Sequence, residues 1–457
     1  MLKKHPLVAG TIILTVTGFI SRIIGFFYRI YLSRLFGEEG MGIYQLLGPV
    51  LALSFSLTAA GIQTAISKYV AGETSTGNYR HSLRVLITGL TLSTMLSFLC
   101  MAVIIKFSEW IATAFLLEPR TASMLRIVAL SLPLGAVHAC INGYFYGIKK
   151  ARVPAAAQLI EQFCRVGSVF IITTLTTKQG AVPTINVAVL GLVFGEGISM
   201  IFTIIAAYKR FTYLSINSAI NILPANHICR HTQNPVEESS LQTILKNLLS
   251  LAIPLSLNRV VINFLQSIEA IYIPNKLLSY GYDTKTALSV YGVLTGMAMP
   301  LIMFPGALTN SVSVLLLPLV AEADATGNEL LIKKAISKTI RYSTLLGVAC
   351  MLIFLLSGKP VGNLIFNSPL AGHFIITLSF ICPFLYLSST LSSIINGLGK
   401  ATAVFVINII SLLIRLAFVF FTIPFAGISG YLWGLLVSQI FTALAFIIYL
   451  GRKRKNY

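Results

Sequence analysis

Long apolar runs separated by short polar turns fill this chain. They lie near residues 7–33, 43–67, 84–105, 122–143, 156–177 and 185–207, and again near 247–273, 287–318, 339–357, 372–395, 402–423 and 428–450. Each can cross a hydrocarbon core of about 30 Å. Hydrocarbon satisfies no backbone hydrogen bond, so a crossing segment must be a helix or part of a closed barrel, and runs without period-2 alternation choose helices. The pattern predicts an all-α polytopic membrane protein of about twelve transmembrane helices. The 287–318 run exceeds one crossing and calls for a tilt, a kink at Pro300 or Pro305, or both.

An internal repeat sets the architecture. Gly147 to Phe170 (GIKKARVPAAAQLIEQFCRVGSVF) lies over Gly397 to Phe420 (GLGKATAVFVINIISLLIRLAFVF), and Val70 to Asn78 (VAGETSTGN) lies over Val320 to Asn328 (VAEADATGN), both about 250 positions apart. Two separate matches at one offset point to a duplicated unit. Six spans is an even number, so both copies enter the membrane in the same direction, as two parallel six-helix lobes around a central cavity. Residues 1–208 are expected to form the first lobe. Residues 209–246 form a polar cytoplasmic linker with Pro224, Pro235 and Glu237-Glu238, and 247–457 the second lobe with a basic tail.

Composition agrees and removes other classes. Apolar residues make up 56% of the chain and charged ones 11%, which excludes a soluble core of this size. The formal charge of +20 would suggest nucleic acid in a soluble protein. Here cytoplasmic loops and the anionic lipid they face account for it, so no nucleic-acid partner is expected. With both termini in the cytoplasm, 21 basic residues fall on the cytoplasmic side, eight on the other and five within spans. That asymmetry predicts a multi-pass protein of the cytoplasmic membrane. Lys3 and Lys4 precede the first run, but Arg22 and Arg29 follow with no cleavage site, so the run reads as an uncleaved span. Five of the six cysteines lie in apolar runs and read as small core residues.

The chemistry sits in the charges at depth. Arg22 and Arg29, seven positions apart, share one helix face; Arg165, Arg259 and Arg415 lie in later spans, against Glu161, Glu196 and Glu269 alone. A central arginine costs at least about 2.5–3.5 kcal/mol, so it needs a wet cavity, an acidic partner or an anionic ligand. Glu161 and Arg165 can pair locally at i,i+4. Glu269 is a distant candidate partner for Arg259, and Arg415 is expected to meet backbone carbonyls or lipid phosphate. The surplus cations fit an anionic guest, and guanidinium forks match phosphate oxygens. Gln162 on span 5 and Asn263 on span 7 offer amides to a sugar or to neighbouring helices. No P-loop, catalytic triad order or hydrolytic acid pair is present, so an enzyme is not expected. Gly37, Gly40 and Gly42 read as an interhelical turn. His227, Cys229 and His231 lack a fourth ligand and the usual spacing, so no metal site is expected.

Ser21 to Tyr44 (SRIIGFFYRIYLSRLFGEEGMGIY), Ala65 to Ala71 (AISKYVA), and GYFYG with PAAAQLIEQFCR between Gly143 and Arg165 resemble the stage V sporulation protein B family. This is the polysaccharide-transporter branch of a superfamily that also contains multidrug/cation antiporters and lipid II flippases. The resemblance implies a flippase for an undecaprenyl-pyrophosphate-linked glycan, with the peptidoglycan precursor lipid II as the leading substrate, working by rocking of two lobes. In that reading Arg22, Arg29, Arg165 and Arg259 serve the pyrophosphate, Gln162 and Asn263 the sugars, and Glu161 is the ion-coupling candidate for H⁺ or Na⁺. No other cofactor is expected. Anionic membrane lipids and cell-wall synthesis proteins are the expected partners. Arg22 matches the first arginine of the flippase SRxxGxxR stretch, whereas the second would fall on Tyr28, beside Arg29. A cation-coupled drug antiporter and a non-transporting cell-wall scaffold are the alternatives.

Overall fold

The computed structural model describes residues 6–220 and 240–455, with no strand among them. The first six membrane segments are α1 (Pro6–Gln45), α2 (Leu47–Ser75), α3 (Tyr79–Lys106), α4 (Thr121–Gly147), α5 (Arg152–Lys178) and α6 (Asn186–Ile220). The second six are α7 (Leu241–Tyr280), α8 (Thr284–Met303 continued by Gly306–Ala325), α9 (Glu329–Phe366), α10 (Pro369–Ser379 and Cys382–Gly397, bent by 58°), α11 (Ala401–Phe421) and α12 (Ile428–Lys455). Of the two prolines offered for a kink, Pro305 stands at the break in α8, while Pro300 begins a helical turn. The expected linker is helical at both ends, since α6 runs to Ile220 and α7 starts at Leu241. His227, Cys229 and His231 lie outside the described residues.

The repeat recurs in local structure. Gly77 and Gly327 both take positive φ (79° and 66°), ending one helix in a conformation that favours glycine. Asn78 and Asn328 then cap the next, their side chains accepting from the His81 and Leu331 amides. The shared TGN sequence is therefore a stop-and-restart signal. The interruption of α4 at Leu130 recurs in α10 at Phe380, again 250 positions on.

Core packing divides along the membrane normal. On the side of the N-terminus each lobe has its own buried cluster. One gathers Ile66, Val70, Tyr144 and Phe145; the other gathers Val320, Leu391, Ile394 and Phe446. On the far side a single cluster crosses between lobes, joining Leu32, Met41 and Leu46 to Leu277, Leu288 and Leu294. The lobes are thus sealed on the far side and separate on the near side. α7 links them: its start (Ile244, Leu248, Ala252) packs in the first lobe's cluster, and its end (Ile271, Ile273, Leu277) in the shared one.

Glycine makes the far-side seal possible. Gly37 (φ 70°) bends α1, as the expected interhelical turn required, but the chain then resumes as a short helix laid against Thr284–Gly292 of α8. A Cβ on Gly42 would stand 2.1 Å from the Leu288 carbonyl oxygen. Such close backbone contact is how membrane helices gain packing energy where lipid removes the hydrophobic drive. Arg34 adds to the seal by donating to the Leu364 and Ile365 carbonyls (2.6 and 2.9 Å), and Glu38 accepts from the Ser368 hydroxyl. In Gly42→Ala the two far-side helices must part. Spin labels at exposed positions 179 and 285 are expected to move apart by several ångström, and an unchanged distance in a folded variant would remove Gly42 from the seal.

Candidate functional site

Among the described residues, three assemblies of charged side chains at membrane depth differ in whether their charges cancel. The first is an open cavity of about 450 Å³ where α1 faces α8 and α10. Arg22 and Arg29 both line it, as their seven-residue spacing requires. Arg22 donates to the Asn310 carbonyl oxygen at 2.7 and 3.1 Å once the Asn310 amide is oriented to satisfy both its neighbours, its NH₂ then donating to Ser389 Oγ at 3.3 Å. Among the described residues Arg29 donates only to the Thr295 carbonyl, at 3.5 Å. No carboxylate is among the lining residues. Phe26 and Phe304, with ring centroids 5.6 Å apart, form an apolar shelf beside the guanidinium groups.

The second assembly cancels internally. Arg415 on α11 makes a two-pronged contact with Glu269 on α7, through Nε (2.6 Å) and Nη2, and the Tyr431 hydroxyl on α12 donates to the same carboxylate at 2.8 Å. The expectation that Arg415 meets carbonyls or lipid phosphate is corrected here, as is the pairing of Glu269 with Arg259. Glu269 is 4% exposed, and a carboxylate so buried holds the nearest guanidinium it can reach. Burial explains why the cross-span pair wins over the distant one along the same helix.

The third assembly lies inside the first lobe. Glu161 and Arg165 pair along α5 as the i,i+4 spacing predicts. His138 of α4 and Glu196 of α6 stand beside them, with His138 Nδ1 3.5 Å from Glu196 Oε2, and one ligand atom from each of His138, Glu161 and Glu196 lies within 4.8 Å of the others. His138 Nε2, Glu196 Oε2 and Arg165 Nε are buried without hydrogen-bond partners among the described residues. Two carboxylates against one guanidinium and one imidazole leave room for one added positive charge. Arg29 is within electrostatic reach of Arg165, which links this cluster to the cavity wall.

The remaining expected ligands are spread out. Arg259 is exposed on α7, has no ion pair among the described residues, and does not line the arginine cavity. Asn263 donates to Ser56 Oγ (2.6 Å) and the Ala52 carbonyl (3.3 Å), tying α7 to α2 as the helix-bonding reading of such amides foresaw. Gln162 is half-buried on α5 beside Glu161. Sequence reasoning missed Asn310 and His138. The signal for His138 was an imidazole within an apolar run, whereas Asn310 becomes visible only through its contact with Arg22. Of the cations assigned to the far side, Arg120 is paired with Glu118 (2.6 Å) and Glu39 (2.7 Å), and Arg126 with Glu109 (2.7 Å). The Glu118 hydrogen bond also raises the Arg120 pKa above its ordinary value. Local acids thus neutralise part of the positive charge opposite the N-terminus.

The chain is similar to known families and structures over most of its length. The family described as "Polysaccharide biosynthesis protein" matches residues 7–324, and the MatE family matches 254–421. Stage V sporulation protein B of Bacillus subtilis (strain 168) is 26% identical over 446 residues, 97% of this chain and 83% of that protein. Lipid II flippase MurJ of the same organism is 22% identical over 434 residues, 90% of this chain and 76% of that protein. Among solved structures, lipid II flippase MurJ in an inward closed conformation superposes with a TM-score of 0.69 at 14% identity, covering 96% of this chain and 87% of that one. An inward-facing multidrug resistance MATE transporter of the MOP superfamily gives 0.66 at 16%, covering 95% and 96%. The relatives whose names state an activity are a lipid II flippase and a multidrug transporter rather than enzymes. The chain belongs to the polysaccharide biosynthesis protein family, and its fold is that of the MurJ and MATE structures.

Proposed function

We propose that this protein is a flippase that carries an undecaprenyl-pyrophosphate-linked glycan, with lipid II the first substrate to test, across the cytoplasmic membrane by alternating access. One observation carries the reading: Arg22 and Arg29 share a cavity whose lining includes no carboxylate, while Arg165 and Arg415 already hold acids. Two guanidinium forks with an amide between α1 and the opposite lobe suit a pyrophosphate; a cationic drug would meet like charge there. The far-side seal and separate near-side cores correspond to the state that loads from the cytoplasmic leaflet. Rocking of the lobes would reverse the seal while the lipid tail stays in hydrocarbon. The alternative of a drug antiporter and that of a scaffold both leave these two arginines without a counter-ion.

Coupling is assigned to the cluster of His138, Glu161 and Glu196, which takes up H⁺ or Na⁺ in the first lobe. In Glu161→Gln, transport driven by an imposed ion gradient is expected to collapse to its gradient-free rate while lipid binding is retained. Gradient-stimulated transport equal to wild type would remove Glu161 from coupling. The reading as a whole is tested in proteoliposomes with a polyprenyl-pyrophosphate glycan bearing a fluorescent sugar. Its headgroup should become accessible to a quencher on the opposite face, and movement of a cationic dye in place of the glycolipid would select the antiporter.

A further inference from the structure

α8 separates two cavities, and Thr309 lines both of them. On one side is the arginine cavity. On the other a cleft of about 450 Å³ runs between α8 and α9, walled by Leu308, Val312, Leu316 and Leu346, with Lys334 and Lys338 exposed along its near-side end. Neither lysine has an acidic partner among the described residues.

The internal repeat supplies a control for this cleft. At the 250-residue offset Val312 and Leu316 correspond to Ile62 and Ile66 of α2. In the first lobe Ile62 and Ile66 pack against Gly89 of α3, and the start of α7 (Ile244, Leu248, Ala252) joins the same cluster, leaving Ile62 4% and Ile66 0% exposed. In the second lobe no described helix takes that place, and Val312 is 49% exposed. An apolar groove at this depth in a bilayer fills with hydrocarbon, and lysines at its interfacial end favour a phosphate headgroup. Lys334 and Lys338 are one helical turn apart, so they offer one ammonium to each half of a pyrophosphate.

We propose that the α8–α9 cleft seats the polyprenyl chain of the carried lipid, with Lys334 and Lys338 on its pyrophosphate. It is a docking position from which the headgroup passes over Thr309 into the arginine cavity. The inference rests on the flippase reading and adds to it where the tail is held.

The test uses the full chain in nanodiscs containing phosphatidylglycerol and a polyprenyl pyrophosphate with a photoreactive diazirine in its chain, cross-links being mapped by mass spectrometry. Labelling is expected at Leu308, Val312 and Leu346. It should fall about 30-fold in Lys334→Gln/Lys338→Gln, whose exposed positions leave the fold intact, and disappear from the cleft in Leu316→Trp. Excess phosphatidylglycerol should not displace it. Labels spread over the lipid-facing surface, equal displacement by phosphatidylglycerol, or a second protein chain cross-linked in the cleft would each overturn the proposal. In the same samples, a Ser389→Cys reporter in the arginine cavity separates the two readings. Its protection by the pyrophosphate lipid without labelling of the cleft removes the docking site alone, and loss of both removes the flippase reading with it.

Discussion

Replacing Arg22 and Arg29 by glutamine is expected to abolish headgroup translocation and leave the protein at least as stable as wild type. In the flippase reading the two effects separate, because there the charges serve a guest rather than the fold. Each guanidinium at depth costs at least about 2.5–3.5 kcal/mol, and neither is refunded by a carboxylate among the lining residues. Removing them therefore relieves the fold, while the bound pyrophosphate loses charge-assisted hydrogen bonds that contribute about 1.5–3 kcal/mol each. Arg22→Gln alone should slow transport by about 10- to 100-fold. Arg22→Lys keeps the charge but loses the fork that grips both the substrate and Asn310, so it should fall in between. Initial rates of quencher accessibility in proteoliposomes, set beside thermal unfolding of the same preparations, check both halves. Lost transport together with a lower unfolding temperature would make these arginines structural.

Glu269→Gln is expected to have the opposite profile, a loss of stability of about 3–5 kcal/mol that precedes any effect on substrate. Arg415 keeps its charge in that variant but loses the carboxylate that receives both prongs of its fork, and Tyr431 loses an ionised acceptor. Because breaking a buried pair costs more than replacing it, Glu269→Gln/Arg415→Met should recover most of the loss. Thermal unfolding in nanodiscs measures this directly. If the single variant unfolds at the wild-type temperature, the pair does not hold α7, α11 and α12 together.

The membrane helices and the repeat were legible in the sequence because hydropathy and spacing are local signals, and a duplicated TGN turn carries its own backbone logic. The shared face of Arg22 and Arg29 was legible for the same reason: both lie on one helix. Glu161 with Arg165 was also readable, four positions apart. Glu269 with Arg415 was not, since 146 positions separate them and only packing of α7 against α11 brings them together. Asn310 could not be told from any other polar residue in an apolar run until α8 faced α1. The division of α7 between two cores was hidden too, because its apolar run continues on both sides of Pro254 and does not say which lobe each half meets. Sequence therefore located charges by helix and face, and tertiary packing decided which were cancelled.

In the flippase reading the uncancelled pair, Arg22 and Arg29, holds a lipid-linked pyrophosphate. Native mass spectrometry of the protein released from membranes with its co-purified lipid tests it most directly. The flippase reading predicts an adduct with the mass of an undecaprenyl-pyrophosphate glycan on the wild type, with a pentapeptide if the cargo is lipid II, and its loss in Arg22→Gln/Arg29→Gln. Phospholipid adducts alone, the same on both proteins, would contradict it.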